Sequence, residues 1–250
     1  MKQGFHIKAI ILFLISSLLF HISLGQTLTD TDSLKKLSKN VSDLEKIEIL
    51  VELTWRLRNS EIQNAVNYGT EAIELAEKYN EYEQLTKAYS FLGVAYRNIG
   101  NYSQSFDMYY KGLESAKQYK LKEQEGYAYI NISNLYLYQG YYTDALINLK
   151  FAEKIAKETE NDNLLGYYYI NRGRVELQLK KYLNALDNML EAAEVRKRNG
   201  NIEGYATCLK YIGDVYNEQN DYNSALKYYK ESIDKLEQTS DMDLMANNYY

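Results

Sequence analysis

Proline is absent from all 250 residues, although average usage near 5% would supply roughly a dozen. Nothing therefore interrupts a helix by removing a backbone donor, and few turns can be proline-built. An all-α chain is the expectation. Histidine is almost as scarce: both copies, His6 and His21, lie in the first 25 residues. That stretch carries Lys2 and Lys8, no acid, an apolar run from Ala9 to Leu24, and Ser23-Leu24-Gly25 ahead of Gln26, the outline of an export signal. The run is broken by Ser16, Ser17, His21 and Ser23 and falls short of the ~20 residues of a spanning helix. Residues 1–25 are thus expected to be a cleaved signal peptide, which places the mature chain in, or facing, the periplasm of a Gram-negative bacterium.

Without those residues the chain has no histidine. No Ser-His-Asp or Cys-His arrangement, imidazole base or His-ligated zinc site can then be built. The single Cys208 can form no internal disulfide and, beside Leu209 on a predicted helix, reads as a small core residue. No glycine-rich phosphate loop, metal-ligand spacing or nucleophile motif is present, so neither an enzyme nor a cofactor is expected. Pairs such as Glu231 and Asp234 read as a solvated helix face. Loss of Lys2 and Lys8 takes Lys+Arg from 29 to 27 against 34 Asp+Glu, a net charge of −7, which disfavours nucleic acid as a partner.

What the chain does have is a period. Near-identical phrases recur every 40 residues, centred on Gly93, Ser133, Gly173 and Gly213, and a fixed period of this length indicates a solenoid. Within a unit, Leu92, Gly93 and Tyr96 mark a first helix and Ser105, Tyr109 and Gly112 a second. Gly100-Asn101, Gly140-Tyr141, Lys180-Lys181 and Asn220-Asp221 fall between them, each ahead of Tyr102, Tyr142, Tyr182 or Tyr222, where a left-handed residue would end the first helix. A helix-interior glycine costs about 1 kcal/mol against alanine. Close helix crossing would offset that cost, since Ser105, Ala145, Ala185 and Ala225 opposite are also small.

An irregular earlier unit begins near Val41, with Ser42 and Glu45 at capping-box spacing and Leu53, Thr54 and Leu57 one residue out of register. The expected organisation is a polar lead over 26–41, five hairpins over 42–240, and the start of a further repeat helix over 241–250. The aromatic end ANNYY suggests a chain that continues past Tyr250.

The pattern Leu92, Gly93, Tyr96, Tyr102, Ser105, Tyr109 and Gly112 resembles the tetratricopeptide repeat over about 45–240, with units of 40 residues against the usual 34. Either longer helices or longer polar joints must absorb the difference. Glu176, in place of the usual aromatic or leucine, weakens the fourth unit. The resemblance implies a right-handed superhelical solenoid of antiparallel hairpins. It also makes thirteen of the 27 tyrosines, among them Tyr102, Tyr109, Tyr129 and Tyr222, packing residues that are interior or half-buried.

In that family the first helices line a concave surface. Carried over by position, the groove comprises Trp55, Arg58, Lys87, Arg97, Asn98, Tyr127, Asn134, Tyr138, Tyr167, Arg174, Lys210, Asp214 and Asn217, with Ile170 alongside. Five of these are basic against one acid, so an acidic protein would hold a locally basic, aromatic, amide-rich groove. The implied partner is a protein or peptide of acidic or C-terminal carboxylate character. The alternative is the sensory half of a membrane signalling protein, tethered by a later span and joined to a histidine kinase, nucleotide cyclase or DNA-binding output beyond residue 250.

Overall fold

The computed structural model describes residues 31–237. The expected signal peptide over 1–25 and the expected repeat start over 241–250 lie outside the described residues. Eleven helices and no strand occur among those described: α1 (Thr31–Leu37), α2 (Asp43–Leu57), α3 (Ile62–Tyr79), α4 (Tyr82–Asn98), α5 (Tyr102–Gln118), α6 (Lys122–Tyr138), α7 (Tyr142–Glu158), α8 (Asp162–Gln178), α9 (Tyr182–Arg198), α10 (Ile202–Glu218) and α11 (Tyr222–Glu237). None is long and apolar enough to cross a membrane. From α2 onward they pair as antiparallel hairpins in a right-handed solenoid. First helices of neighbouring hairpins touch, α2 on α4, α4 on α6 and α6 on α8, whereas the second helices make no comparable contact among the described residues. The first helices are therefore the inner, more crowded layer, and their free face is the groove.

The 40-residue period divides evenly. From α4 to α10 every helix has 17 residues, and three-residue links join them whether the turn lies inside a hairpin or between hairpins. The extra length over the common unit thus sits in the helices, and the joints are as tight as the hairpin turns. Each link from α3 onward is built alike. A residue at positive φ, Asn80, Gly100, Lys120, Gly140, Glu160, Lys180, Gly200 or Asn220, reverses the chain, and the next amide donates to a carbonyl five residues back, as Asn101 N does to Tyr96 O (2.9 Å) and Lys181 N to Glu176 O (2.8 Å). This is the Schellman arrangement.

Lys120, Glu160 and Lys180 hold it without being glycine, at a backbone cost of about 1 kcal/mol each. Lys180→Gly should therefore stabilise the protein by about 0.5 kcal/mol, after allowing for the freer unfolded chain. Gly140→Ala, where added bulk meets nothing within 4 Å, should destabilise it by a similar amount. Urea midpoints at unchanged slope would measure both.

The helix-interior glycines are answered by side chains of the partner helix. A Cβ on Gly93 would lie 2.4 Å from the Tyr109 ring, one on Gly213 2.5 Å from the Tyr229 ring, and one on Gly173 2.8 Å from Met189 Cε. Where the small residue is Ser133, the equivalent partner is the shorter Leu149, 1% exposed. In the first hairpin the roles reverse: Gly69 makes room for Thr54, with one residue fewer between the pair, as the shifted register requires. Ser105, Ala145, Ala185 and Ala225 are all buried, and Ser105 Oγ donates to the Gly93 carbonyl (2.8 Å).

Glu176 does not weaken its repeat by standing alone. It is buried, and it accepts from Arg172 Nε (3.3 Å) and from Asn188 Nδ2 (2.8 Å). Cys208 is fully buried, and burial pushes its thiol up to about 12, which keeps it protonated and inert. The packing tyrosines are less uniform than expected. Tyr109 and Tyr129 are buried, yet Tyr102 and Tyr222 are exposed (37% and 62%), because each is the first residue of its helix, directly after the turn.

At the amino-terminal end, Ser42 and Glu45 form the reciprocal capping box. The stretch read as a polar lead contributes α1, whose Leu34 joins Ile49, Leu53 and Leu57 in the first hairpin's core while Lys35 pairs with Glu61 (2.9 Å).

Candidate groove on the inner helix layer

Equivalent positions on the inner helices fall into columns. One column reads Trp55, Val94, Asn134, Arg174 and Asp214; the next turn begins with Arg58 in α2 and Arg97 in α4. Leu92, Ala95, Leu135, Val175 and Val215 between them face the core and are buried, so helical geometry leaves Trp55, Asn134, Arg174 and Asp214 on the free face, while Val94 in the same column is drawn into the core (6% exposed).

The floor of the groove begins with Trp55 packed on Phe91 (centroids 4.8 Å). The Arg58 guanidinium lies 3.4 Å over the Trp55 ring and donates to the Trp55 carbonyl. Burial, and then the positive charge of Arg97, depress the Arg58 pKa below its ordinary value, though arginine stays charged throughout. Asn98 links these two residues. Its Oδ1 accepts from Arg97 Nε (3.3 Å) and Nη2 (3.1 Å), and its Nδ2 donates to the Arg58 carbonyl (3.0 Å) and to Asn59 Oδ1 (2.7 Å).

Arg97 then lies 5.1 Å from the centre of the Tyr138 ring, and Arg174 lies 5.6 Å from the same ring and 5.5 Å from Tyr211. Arg174 Nη1 donates to Asn134 Oδ1 in the preceding repeat (2.6 Å) and to Asn171 Oδ1 (3.1 Å). Every hydrogen-bond and ring partner of the three arginines is thus a ring, an amide or a carbonyl, with Glu52 acting on Arg58 only at longer range, through its charge. Among the described residues the arginine–carboxylate pairs are Arg56–Glu52, Arg172–Glu176 and Arg198–Asp162, and none involves Arg58, Arg97 or Arg174. Rings and amides orient a guanidinium without neutralising it.

The remaining sequence-derived positions divide. Lys87 is paired with Glu83 (2.7 Å) and Lys210 with Asp214 (3.2 Å), and Asp214 also accepts from Tyr229 Oη (2.8 Å). Two of the five basic residues are therefore internally compensated. Tyr127 and Tyr167 meet edge to face (6.0 Å), and Asn217 is exposed near the end of α10. Ile170 belongs to the core rather than the groove: it is 7% exposed and packs with Ala192, Ala193 and Cys208.

Family models described as tetratricopeptide repeat match residues 86–119 and 164–238, spanning α5 with most of α4, and the fourth and fifth hairpins. These hairpins are tetratricopeptide repeats. The same repeat architecture relates the chain to solved structures. The Rap protein complexed with competence and sporulation factor superposes with a TM-score of 0.71 at 16% identity, over 92% of this chain and 71% of that one. NprR in complex with its cognate peptide NprX gives 0.69 at 19%, over 91% and 68%. A Pyrococcus horikoshii signal transduction ATPase with a tetratricopeptide repeat sensor gives 0.60 at 23%, over 86% of this chain and 34% of that one. At these identities the likeness concerns the fold alone. Comparison with curated proteins returns no match.

Against the positional expectation for a tetratricopeptide groove, two ring partners were missed. Phe91 and Tyr211 occupy the column that Asn131 and Asn171 fill in the middle repeats. The rings at the two ends of that column are what hold Trp55 and Arg174.

Proposed function

We propose that this protein is a non-enzymatic tetratricopeptide-repeat scaffold, exported to the periplasm, whose groove takes a protein or peptide segment bearing acidic side chains or a C-terminal carboxylate. The observation that carries this reading is the row of Arg58, Arg97 and Arg174, held by rings and amides and paired with no carboxylate. A guanidinium so placed offers its remaining N–H groups to an incoming carboxylate. The neighbour solved with its cognate peptide supports a peptide partner. Calorimetric titration of acidic peptides, against the same peptides with glutamine for glutamate, tests the reading. The acidic set should bind at least about tenfold tighter at low salt and lose that advantage at high salt. Equal affinity of the two sets would overturn it.

A second reading makes the same groove the input of a membrane signalling protein whose output lies beyond residue 250. It is favoured by the Pyrococcus horikoshii neighbour, of which this fold covers 34% and whose repeats are its sensor. An encoded apolar stretch of ~20 residues after Tyr250 would support this version, and a stop codon there would exclude it.

A further inference from the structure

Among the described residues the largest fully buried side chain is a cation. Arg196, in the last turn of α9, is 2% exposed. Its equivalents in the three preceding hairpins are Ala76, Ala116 and Ala156, all buried. Space for the larger side chain comes from glycines on both flanking inner helices. A Cβ on Gly166 in α8 would stand 3.0 Å from Arg196 Cζ and Nε, and one on Gly204 in α10 would stand 2.7 Å from Cδ. The guanidinium lies 4.3 Å from the centre of the Tyr167 ring, and Nη1 donates to Asn163 Oδ1 (3.0 Å). Nε is buried without any partner, and no carboxylate among the described residues pairs with the group.

A buried guanidinium normally requires a counter-charge. Its Nε–Nη2 edge is the one that takes a carboxylate through two parallel N–H···O bonds, and that edge makes no hydrogen bond among the described residues. The Tyr167 ring and the carbonyl end of α9 help to hold the charge in the free protein. Tyr167 (42% exposed), beside the guanidinium, and Asn163, bonded to Nη1, are themselves exposed, so a ligand would approach by displacing Tyr167.

We propose that Arg196, with Asn163 and Tyr167, forms a binding site for a carboxylate-bearing ligand at the junction of the fourth and fifth repeats. The site is separate from the Arg58–Arg97–Arg174 row and does not depend on it.

Thermal midpoints in succinate, phosphate and an acidic peptide, each against chloride at equal ionic strength, test the proposal on four proteins. These are wild type, Arg196→Met, Arg196→Ala, which restores the residue of the three preceding hairpins, and the double variant Arg97→Gln/Arg174→Gln. Near saturation, succinate should raise the wild-type midpoint by about 3 °C or more. The rise should vanish in both Arg196 variants and persist in the double variant. A rise with the peptide but not with succinate, persisting in the double variant and smaller in the Arg196 variants than in wild type, would identify a peptide carboxylate as the source and support the site. The proposal is overturned if the Arg196 variants respond to succinate as wild type does, if only phosphate acts, or if nothing shifts the wild type. A response lost only in Arg97→Gln/Arg174→Gln would overturn it too, while leaving the groove reading intact.

Discussion

Gly93→Val should destabilise the protein by about 3 kcal/mol, at the severe end of overpacking substitutions. The new side chain would enter a space already filled: a Cβ alone would stand 2.4 Å from the Tyr109 ring, and Tyr109 is 0% exposed, with no solvent to move into. The gain in helix propensity on leaving glycine, about 1 kcal/mol or less, is too small to compensate. The chain itself supplies the control, because the third repeat solves the same crossing with Ser133 opposite Leu149. Gly93→Ser alone should therefore destabilise, as should Tyr109→Leu alone, through the cavity it leaves. The double variant should recover about 2 kcal/mol relative to the sum of the two. Strict additivity in a denaturant double-mutant cycle would show that the glycine serves some purpose other than seating the ring.

That pairing illustrates how much of the fold could be read from the sequence. The period, the hairpins, the small residues at the crossings and the inner-helix columns all follow from helical spacing repeated at 40 residues, so each repeat checked the next. What the sequence hid was non-local or lacked the expected residue type. Lys120 and Glu160 turn the chain left-handed without being glycine, so the joints read as longer than they are. Glu176 looked unfavourable because its partners sit one helical turn back, at Arg172, and across the hairpin, at Asn188. Arg196 escaped notice in a column of alanines, and its pocket became visible only when Gly166 and Gly204 were placed on either side of it. In the groove, position alone found Arg58, Arg97 and Arg174. It could not show that Lys87 and Lys210 are neutralised by carboxylates on their own helices, since Glu83 and Asp214 stand at i±4 to them and could equally have faced solvent.

Those unpaired arginines carry the largest functional effect. The combined reversal Arg97→Glu/Arg174→Glu should weaken binding of an acidic peptide by at least about 100-fold. Losing two charge-assisted hydrogen bonds costs about 1.5–3 kcal/mol each, and each 1.4 kcal/mol is a factor of ten. The single reversals should each do less than half of this on the free-energy scale. Both guanidinium groups lie over one ring, Tyr138, so a glutamate at either position is drawn to the arginine that remains and partly hides within an internal pair. The combined variant has no such refuge, and its groove should then prefer a lysine-bearing peptide. Lys150→Glu on the outer helix α7, an exposed site, makes a single reversal of the same sign where charge is screened beyond a Debye length of about 8 Å, and it should change affinity by less than about twofold. Binding that survives the paired reversal, or falls equally with Lys150→Glu, would mean that overall charge, rather than the row along the inner helices, recognises the ligand.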